Sequence, residues 1–393
     1  MISIEEAQAR IFALKAPVEV ETVSLVDAAG RWAATDVAAL RTQPARDLSA
    51  MDGYAVRFAD GSGPWRVIGE SAAGKRFTGS VSAGEAVRIF TGAVVPDGAN
   101  SVIIQENVAH DGEALTLTGD ALNKIGQNVR RAGADFHEGT PLISSGATLH
   151  ARHIALAAMA GHGKLAVRRR LNVAVLSTGD ELVPPGEPCA EDQIPSSNDV
   201  MLAAMLRDLP AEVTSIPAVA DNLGALSAQF AALSGFDIIV TTGGASVGDH
   251  DLIIPALQAA GGKIDFWKIA MRPGKPVIAG TIGEAVVLGL PGNPVSAYVT
   301  ALLLLLPLVR HLGGSGQAFA PRLTAILGAD LPANGPRTDH LRAFLVNGVI
   351  TPVGANDSAM LAALSISNAL IICDIDSGAL TKGSQVRYYA LPG

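Results

Sequence analysis

The chain has 393 residues, 49% hydrophobic but only 4% aromatic, with a formal net charge of −8. That length implies roughly two to four domains with aliphatic cores, and the acidic balance argues against nonspecific nucleic-acid binding, which needs a basic footprint. The only two cysteines, Cys189 and Cys373, are far apart and form no CxxC, so a disulfide framework is not expected and a reducing, cytoplasmic setting fits.

Ser3 is placed to cap a helix over residues 4–15, with Glu6 closing a capping box. The N-terminus therefore reads as a helix start and not a signal peptide. Residues 18–25 alternate like a strand, and 28–39 read as partly helical. After Thr42-Gln43-Pro44 glycines and short alternating runs dominate, at 65–68, 86–90, 101–107 and 114–117. This predicts a separate, mainly β domain over 45–137. Residues 138–168 return to helix, with 151–160 as an apolar face. They are expected to pack with residues 1–44, which makes the β domain an insertion.

From 169 to 314 strands and helices alternate: strands at 171–176, 212–219, 236–242, 263–268 and 285–289, and helices at 198–208, 222–233, 251–260 and 294–310. This is the rhythm of a parallel α/β sheet covered on both faces. The apolar run 297–309 is too short for a membrane span and contains Pro307, so it reads as a buried helix and no membrane partner is expected. Gly313-Gly314-Ser315-Gly316 reads as a linker. Residues 315–393 carry short strands at 323–329, 343–349, 369–374 and 385–390, which suggests a small β barrel or sandwich.

Three strands of the α/β segment end in Gly/Pro turns rich in hydroxyls or acids. They are Ser177-Thr178-Gly179-Asp180-Glu181, Gly243-Gly244-Ala245-Ser246-Val247-Gly248 and Pro291-Gly292-Asn293-Pro294-Val295-Ser296. Ligands of such sheets bind outside the carboxyl ends of the strands. The glycines let backbone N–H groups approach an anion, so the three turns describe one pocket for a phosphate-bearing ligand. Neither a P-loop nor a dinucleotide fingerprint is present. Asp249 and Asp251 suit a hard cation such as Mg²⁺, with helix capping the plainer alternative. Lys268, Arg272 and Lys275 sit on or beside the stiff turn Arg272-Pro273-Gly274-Lys275-Pro276, where rigid cations suit a second oxyanion. Pro294 at a first helical position is also plain scaffold chemistry. His150 and His153 read as a satisfied pair, and Arg168-Arg169-Arg170 as a solvated domain border.

Taken in order, these motifs, together with Ser49–Val56, Phe90-Thr91-Gly92-Ala93 and Arg131–Asp135, resemble the MoeA-like molybdopterin molybdenumtransferases. That family includes the gephyrin E domain. The resemblance covers essentially the whole chain. It implies a molybdopterin-binding α/β domain, an inserted elongated β domain, a C-terminal β barrel and a homodimer. The implied reaction places molybdenum from molybdate on adenylylated molybdopterin and releases AMP with Mg²⁺, and the adenylyltransferase that supplies the substrate is a transient partner. By this resemblance Asp52 and Thr91 enter the cleft from the partner subunit. Glu181, Asp249 and Asp251 serve metal and phosphate. Lys268, Arg272, Lys275, Ser296 and Ser358 surround molybdate, assisted by Arg337 or Arg342. The chain departs from the family pattern at Arg272, usually Lys, at Arg46-Asp47-Leu48, often Phe-Asp-Asn, and at Ala359, often His. A carrier or scaffold paralogue without turnover is the alternative reading.

Overall fold

The computed structural model describes residues 1–112, 114–244, 252–354 and 357–391. Its centre is a six-stranded sheet in the order Ala211–Val219, Leu171–Thr178, Ile238–Thr242, Ala285–Leu290, Ile278–Ile282, Lys263–Trp267. The first four strands are parallel. Ile278–Ile282 runs antiparallel to both of its neighbours, which corrects the expectation of a wholly parallel sheet. That strand follows the Pro/Gly turn directly and contains Gly280, which hid it in the sequence. The glycine is needed there, because a Cβ would lie 2.1 Å from the Lys263 carbonyl oxygen.

The parallel strands are apolar on both faces because both are covered. Val173, Val175, Val240, Val286 and Leu288 pack on one side with Leu202, Leu206 and the helix that starts at Pro294. Ala174, Ile239 and Val287 pack on the other side with Leu226, Phe230 and Leu257. Pro294–Leu312 is one apolar helical stretch of 19 residues. It is longer than the sequence reading allowed and long enough by length alone to cross a bilayer. Instead, 83% of its apolar window is buried in the protein. Its middle, Ala301–Leu305, widens to a π-helix. The Gln8 amide donates to the Leu303 carbonyl there at 2.7 Å, so the irregular turn is satisfied by a buried side chain.

Helix Ile4–Ala13 begins where Ser3 accepts the Glu6 N–H at 3.0 Å. It packs Ile4, Ala7 and Ile11 into the same core as Leu302–Leu312. Strand Val20–Ser24 pairs with Lys164–Arg168, and Val37–Ala38 pairs with Pro141–Ile143, so the segments on either side of the insertion meet. Little of 28–39 is helical. Leu25–Ala28 forms one turn, then Gly30 at φ +78° redirects the chain into bridges to 148 and 167.

The inserted segment forms its own six-stranded sheet: Ser101–Ile104, Gly53–Val56, Glu85–Ile89, Trp65–Ser71, Ala114–Leu117, Val108–His110. Small cores lie around Ile89 and Trp65. At the C-terminus Thr338–Val346, Val349–Pro352, Leu323–Leu327, Gln385–Ala390 and Ala369–Cys373 pair in turn, and the last returns to the first. Five strands thus close a barrel and leave it no open edge. Met271–Arg272 of the cationic turn joins it, pairing in parallel with Thr338–Asp339.

Of Arg168-Arg169-Arg170, read as a solvated border, only Arg170 is exposed; Arg168 and Arg169 are half-buried and bonded. Arg169 binds buried Asp237 through two N–H groups at 2.6 and 2.8 Å. Lys15 adds a third bond and the Asn172 N–H a fourth. Burial alone would raise the Asp237 carboxyl, but these donors outweigh it and hold it at about 2.

Candidate active site

Three adjacent parallel strands stop at the same level, with Ser177 opposite Thr242 and Thr242 opposite Leu290. The Ser177 and Thr242 hydroxyls bond each other at 3.0 Å. Thr178 is on the opposite face, and its hydroxyl is buried without a partner among the described residues. The turns beyond the strands touch one another. Gly243 has φ +93°, and a Cβ there would meet the Thr178 carbonyl oxygen at 2.4 Å. A Cβ on Gly292 would lie 3.5 Å from the Gly243 Cα. Small residues are thus what lets the three tips converge. Gly179 at φ +148° lies under Glu181, whose carboxylate a Cβ would meet at 2.6 Å. Asp180 accepts the Asp221 N–H at 3.1 Å.

Asn293, Pro294 and Ser296 open the long helix. Asn293 donates to Ser358 at 2.9 Å, and the Val295 N–H donates to the Ser358 carbonyl at 3.1 Å. The barrel thereby caps this helix. Arg342 reinforces the cap by donating to the carbonyls of Met360 and Asp357 at 2.8 and 3.0 Å. Its role in the structure is to hold the Ser358 turn. Arg337 is half-buried, and its carbonyl accepts from Asn334.

The cationic turn is rigid for identifiable reasons. Gly274, at φ +103°, packs against Thr300 so closely that a Cβ would stand 2.4 Å from its methyl. The Ile269 N–H donates to the Lys275 carbonyl at 3.0 Å. Lys268 adopts φ +87°, a conformation unfavourable for a side chain of its size. Its ammonium lies 3.8 Å from the Trp267 ring centroid. Arg272 forms an ion pair with buried Asp339 of the barrel, a partner absent from the sequence reading. The arginine reaches across the domain junction and its charge is partly matched, which a free point charge would not be. Between this turn and the barrel is a cavity of about 350 Å³, lined by Arg272, Val295, Asp339, Arg342, Ser358 and Cys373 among others. Burial, with Asp339 and Asp374 nearby, pushes the Cys373 thiol up to about 11.

Asp52 and Thr91 do come together. The Thr91 N–H and hydroxyl both donate to Asp52 Oδ1 at 2.7 Å. The backbone bond first and the hydroxyl second hold the Asp52 carboxyl below its usual range. Neither residue lines the cavity at the barrel. Ser246, Gly248, Asp249 and Asp251 lie outside the described residues. Among the described residues no group of three His, Cys, Asp or Glu side chains is arranged to hold a metal.

Three family profiles tile the chain: the MoeA N-terminal region (domain I and II) over 2–161, a probable molybdopterin binding domain over 174–311, and the MoeA C-terminal region (domain IV) over 324–391. A curated relative from Haemophilus influenzae, named molybdopterin molybdenumtransferase, is 37% identical over 98% of each chain. The chain belongs to the molybdopterin molybdenumtransferase (MoeA) family. A Nostoc relative of the same name is 34% identical over 95% of this chain and 89% of its own. The molybdopterin biosynthesis MoeA protein from Pyrococcus horikosii matches over the full length of both chains, at 28% identity and a TM-score of 0.86. The family is one of enzymes, and its architecture is the one described above, barrel included.

Proposed function

We propose that this chain inserts molybdenum from molybdate into adenylylated molybdopterin and releases AMP, as a step of molybdenum-cofactor biosynthesis. The observation that carries the reading is a junction of two oxyanion-handling elements. Glycine turns at three strand tips meet the helix start at Asn293, and that helix start is bonded to Ser358 on the rim of the cavity that holds Arg272. Backbone N–H groups of the glycine turns suit a phosphate linkage. Lys268, Arg272 and Lys275 suit molybdate oxygens, and the bonded turn geometry keeps these cations in place as charge develops.

Glu181 has no cationic partner among the described residues and folds back over the first strand-tip turn. In this reading the carboxylates of Glu181, Asp249 and Asp251 would serve Mg²⁺ by their chemistry, and the ion would neutralise phosphate charge. Asp52 is held ionised by Thr91, both bonds falling on Oδ1, so Oδ2 remains to accept from a ligand. In this reading the pair acts from the inserted domain of a second subunit, so the active form is a homodimer. The reading also includes a cytoplasmic setting, a transient encounter with the adenylyltransferase, and domains at 1–44 with 138–168, 45–137, 169–314 and 315–393.

The test is AMP release from adenylylated molybdopterin by the purified protein with Mg²⁺, with and without molybdate. Molybdate-dependent release, lost in Asp52→Ala and Lys275→Ala, is the expected result. Tight binding of the pterin with no release under either condition would move the chain to the carrier reading.

A further inference from the structure

Asn198 opens the helix Asn198–Leu206, on the same side of the sheet as Ser177, Thr242 and Leu290. Its amide nitrogen donates to the Gly292 carbonyl at 2.7 Å. That bond fixes the orientation of the amide, because a flipped amide would set two acceptor oxygens against each other. Oδ1 is therefore the remaining atom, and it is buried with no hydrogen-bond partner among the described residues. An unpaired acceptor closed to water is costly, and natural structures rarely keep one without a use. It does not serve as the helix cap, since the capping position is Ser197, whose side chain makes no cap bond. Gly292, which anchors the amide nitrogen, lies against Gly243, so the Asn198 amide is tied to one of two strand-tip turns that touch.

We infer that Asn198 Oδ1 is a ligand-recognition atom, receiving an N–H donor from the heterocyclic part of the bound substrate. The inference rests on the function proposed above, whose substrate offers such donors on its pterin ring and on its adenine amine. Phosphate and molybdate oxygens are acceptors at neutral pH and cannot fill the role. A site built around a buried acceptor also rejects an analogue that lacks the donor, because the acceptor is then left unpaired. Asn198 thus adds selection by ring chemistry to a pocket otherwise read as recognising charge.

The experiment titrates wild type and Asn198→Ala with adenylylated molybdopterin, molybdopterin, AMP and inosine monophosphate, following ligand affinity. Asn198→Ser is the second variant should the alanine protein fold poorly. The expected result is at least about ten-fold weaker binding of adenylylated molybdopterin by the variants. An adenine donor makes wild type prefer AMP over inosine monophosphate, a preference the variants lose. A pterin donor makes the variants lose affinity for molybdopterin while AMP binding stays unchanged. A role confined to anchoring Gly292 would weaken all four ligands alike, and that result overturns the inference, as would affinities within two-fold of wild type. Wild type that binds none of the four overturns the functional reading itself and the inference with it. Wild type that binds while the variants do not differ overturns the inference alone.

Discussion

Replacing Asp237 by asparagine removes the charge at which Arg169, Lys15 and the Asn172 N–H converge. The carboxylate is 2% exposed, so solvent screens it little. Its pKa falls from the ordinary 3.8 of a free aspartate to about 2, and a difference of that size corresponds to roughly 2–3 kcal/mol of differential stability. Leaving Arg169 and Lys15 facing an uncharged amide raises the upper bound toward the roughly 3–5 kcal/mol typical of a broken buried pair. For a domain of this size that means a fall in melting temperature of about 5–10 °C. The sign of the pH dependence follows from the depressed value. Between about 4 and 2 the unfolded chain binds a proton that the folded chain refuses, so wild type loses this stability as the pH falls through that window. Asp237→Asn has no such proton to bind, so its acid limb is flatter. Urea unfolding at pH 7 and at pH 3, followed by a probe in the α/β domain, measures both effects. A variant within about 0.5 kcal/mol of wild type at pH 7, with an unchanged acid limb, would refute the reasoning.

Burial holds the His340 ring at about 4, so it is neutral when folded. Its contribution is complete above about 6.5 and is lost as the pH falls toward 4, by roughly 3 kcal/mol in all. His340→Phe flattens that slope when denaturation midpoints at pH 7 and pH 5 are compared. Gly243→Ala places a methyl on a positive-φ backbone, 2.4 Å from the Thr178 carbonyl oxygen. It should cost about 1–3 kcal/mol and abolish substrate binding, whereas Gly292→Ala, with ordinary contacts, should leave the melting temperature within about 2 °C. Thr91→Val keeps the backbone bond to Asp52 and removes the hydroxyl bond. AMP release should fall roughly 10- to 100-fold with the fold intact by circular dichroism.

The parts of the site that were legible in the sequence are those written locally. A buried strand that stops at a glycine announces its own end, so the tips at Ser177, Thr242 and Leu290 could be placed without coordinates. The stiffness of the 272–276 turn was equally visible in its prolines and glycine. What escaped depends on distant partners. Asp339 looks like one more barrel acid until Met271–Arg272 pairs beside it. Arg169 looks solvated because Asp237 is 68 residues away. Asn198 carried a faint signal, standing in the polar run Ser196-Ser197-Asn198-Asp199 just before a helix, but only the Gly292 bond gives it a direction. The strand Ile278–Ile282 escaped for a different reason, since it follows the Pro/Gly turn directly and is interrupted by Gly280.

The way the chain enters and leaves the inserted sheet has a mechanical consequence. Gln43 donates to the Phe136 carbonyl at 2.8 Å, the Asp135 N–H returns a bond to the Gln43 carbonyl, and Gly133 bonds to the Pro44 carbonyl just beyond. The entering and leaving segments form one laced neck. These backbone bonds hold the two crossing segments side by side at the base of the inserted sheet. Asp52 and Thr91 are bonded to each other by two hydrogen bonds made wholly within the inserted segment. The geometry of that pair is therefore set within the inserted segment itself, by bonds that do not involve the neck.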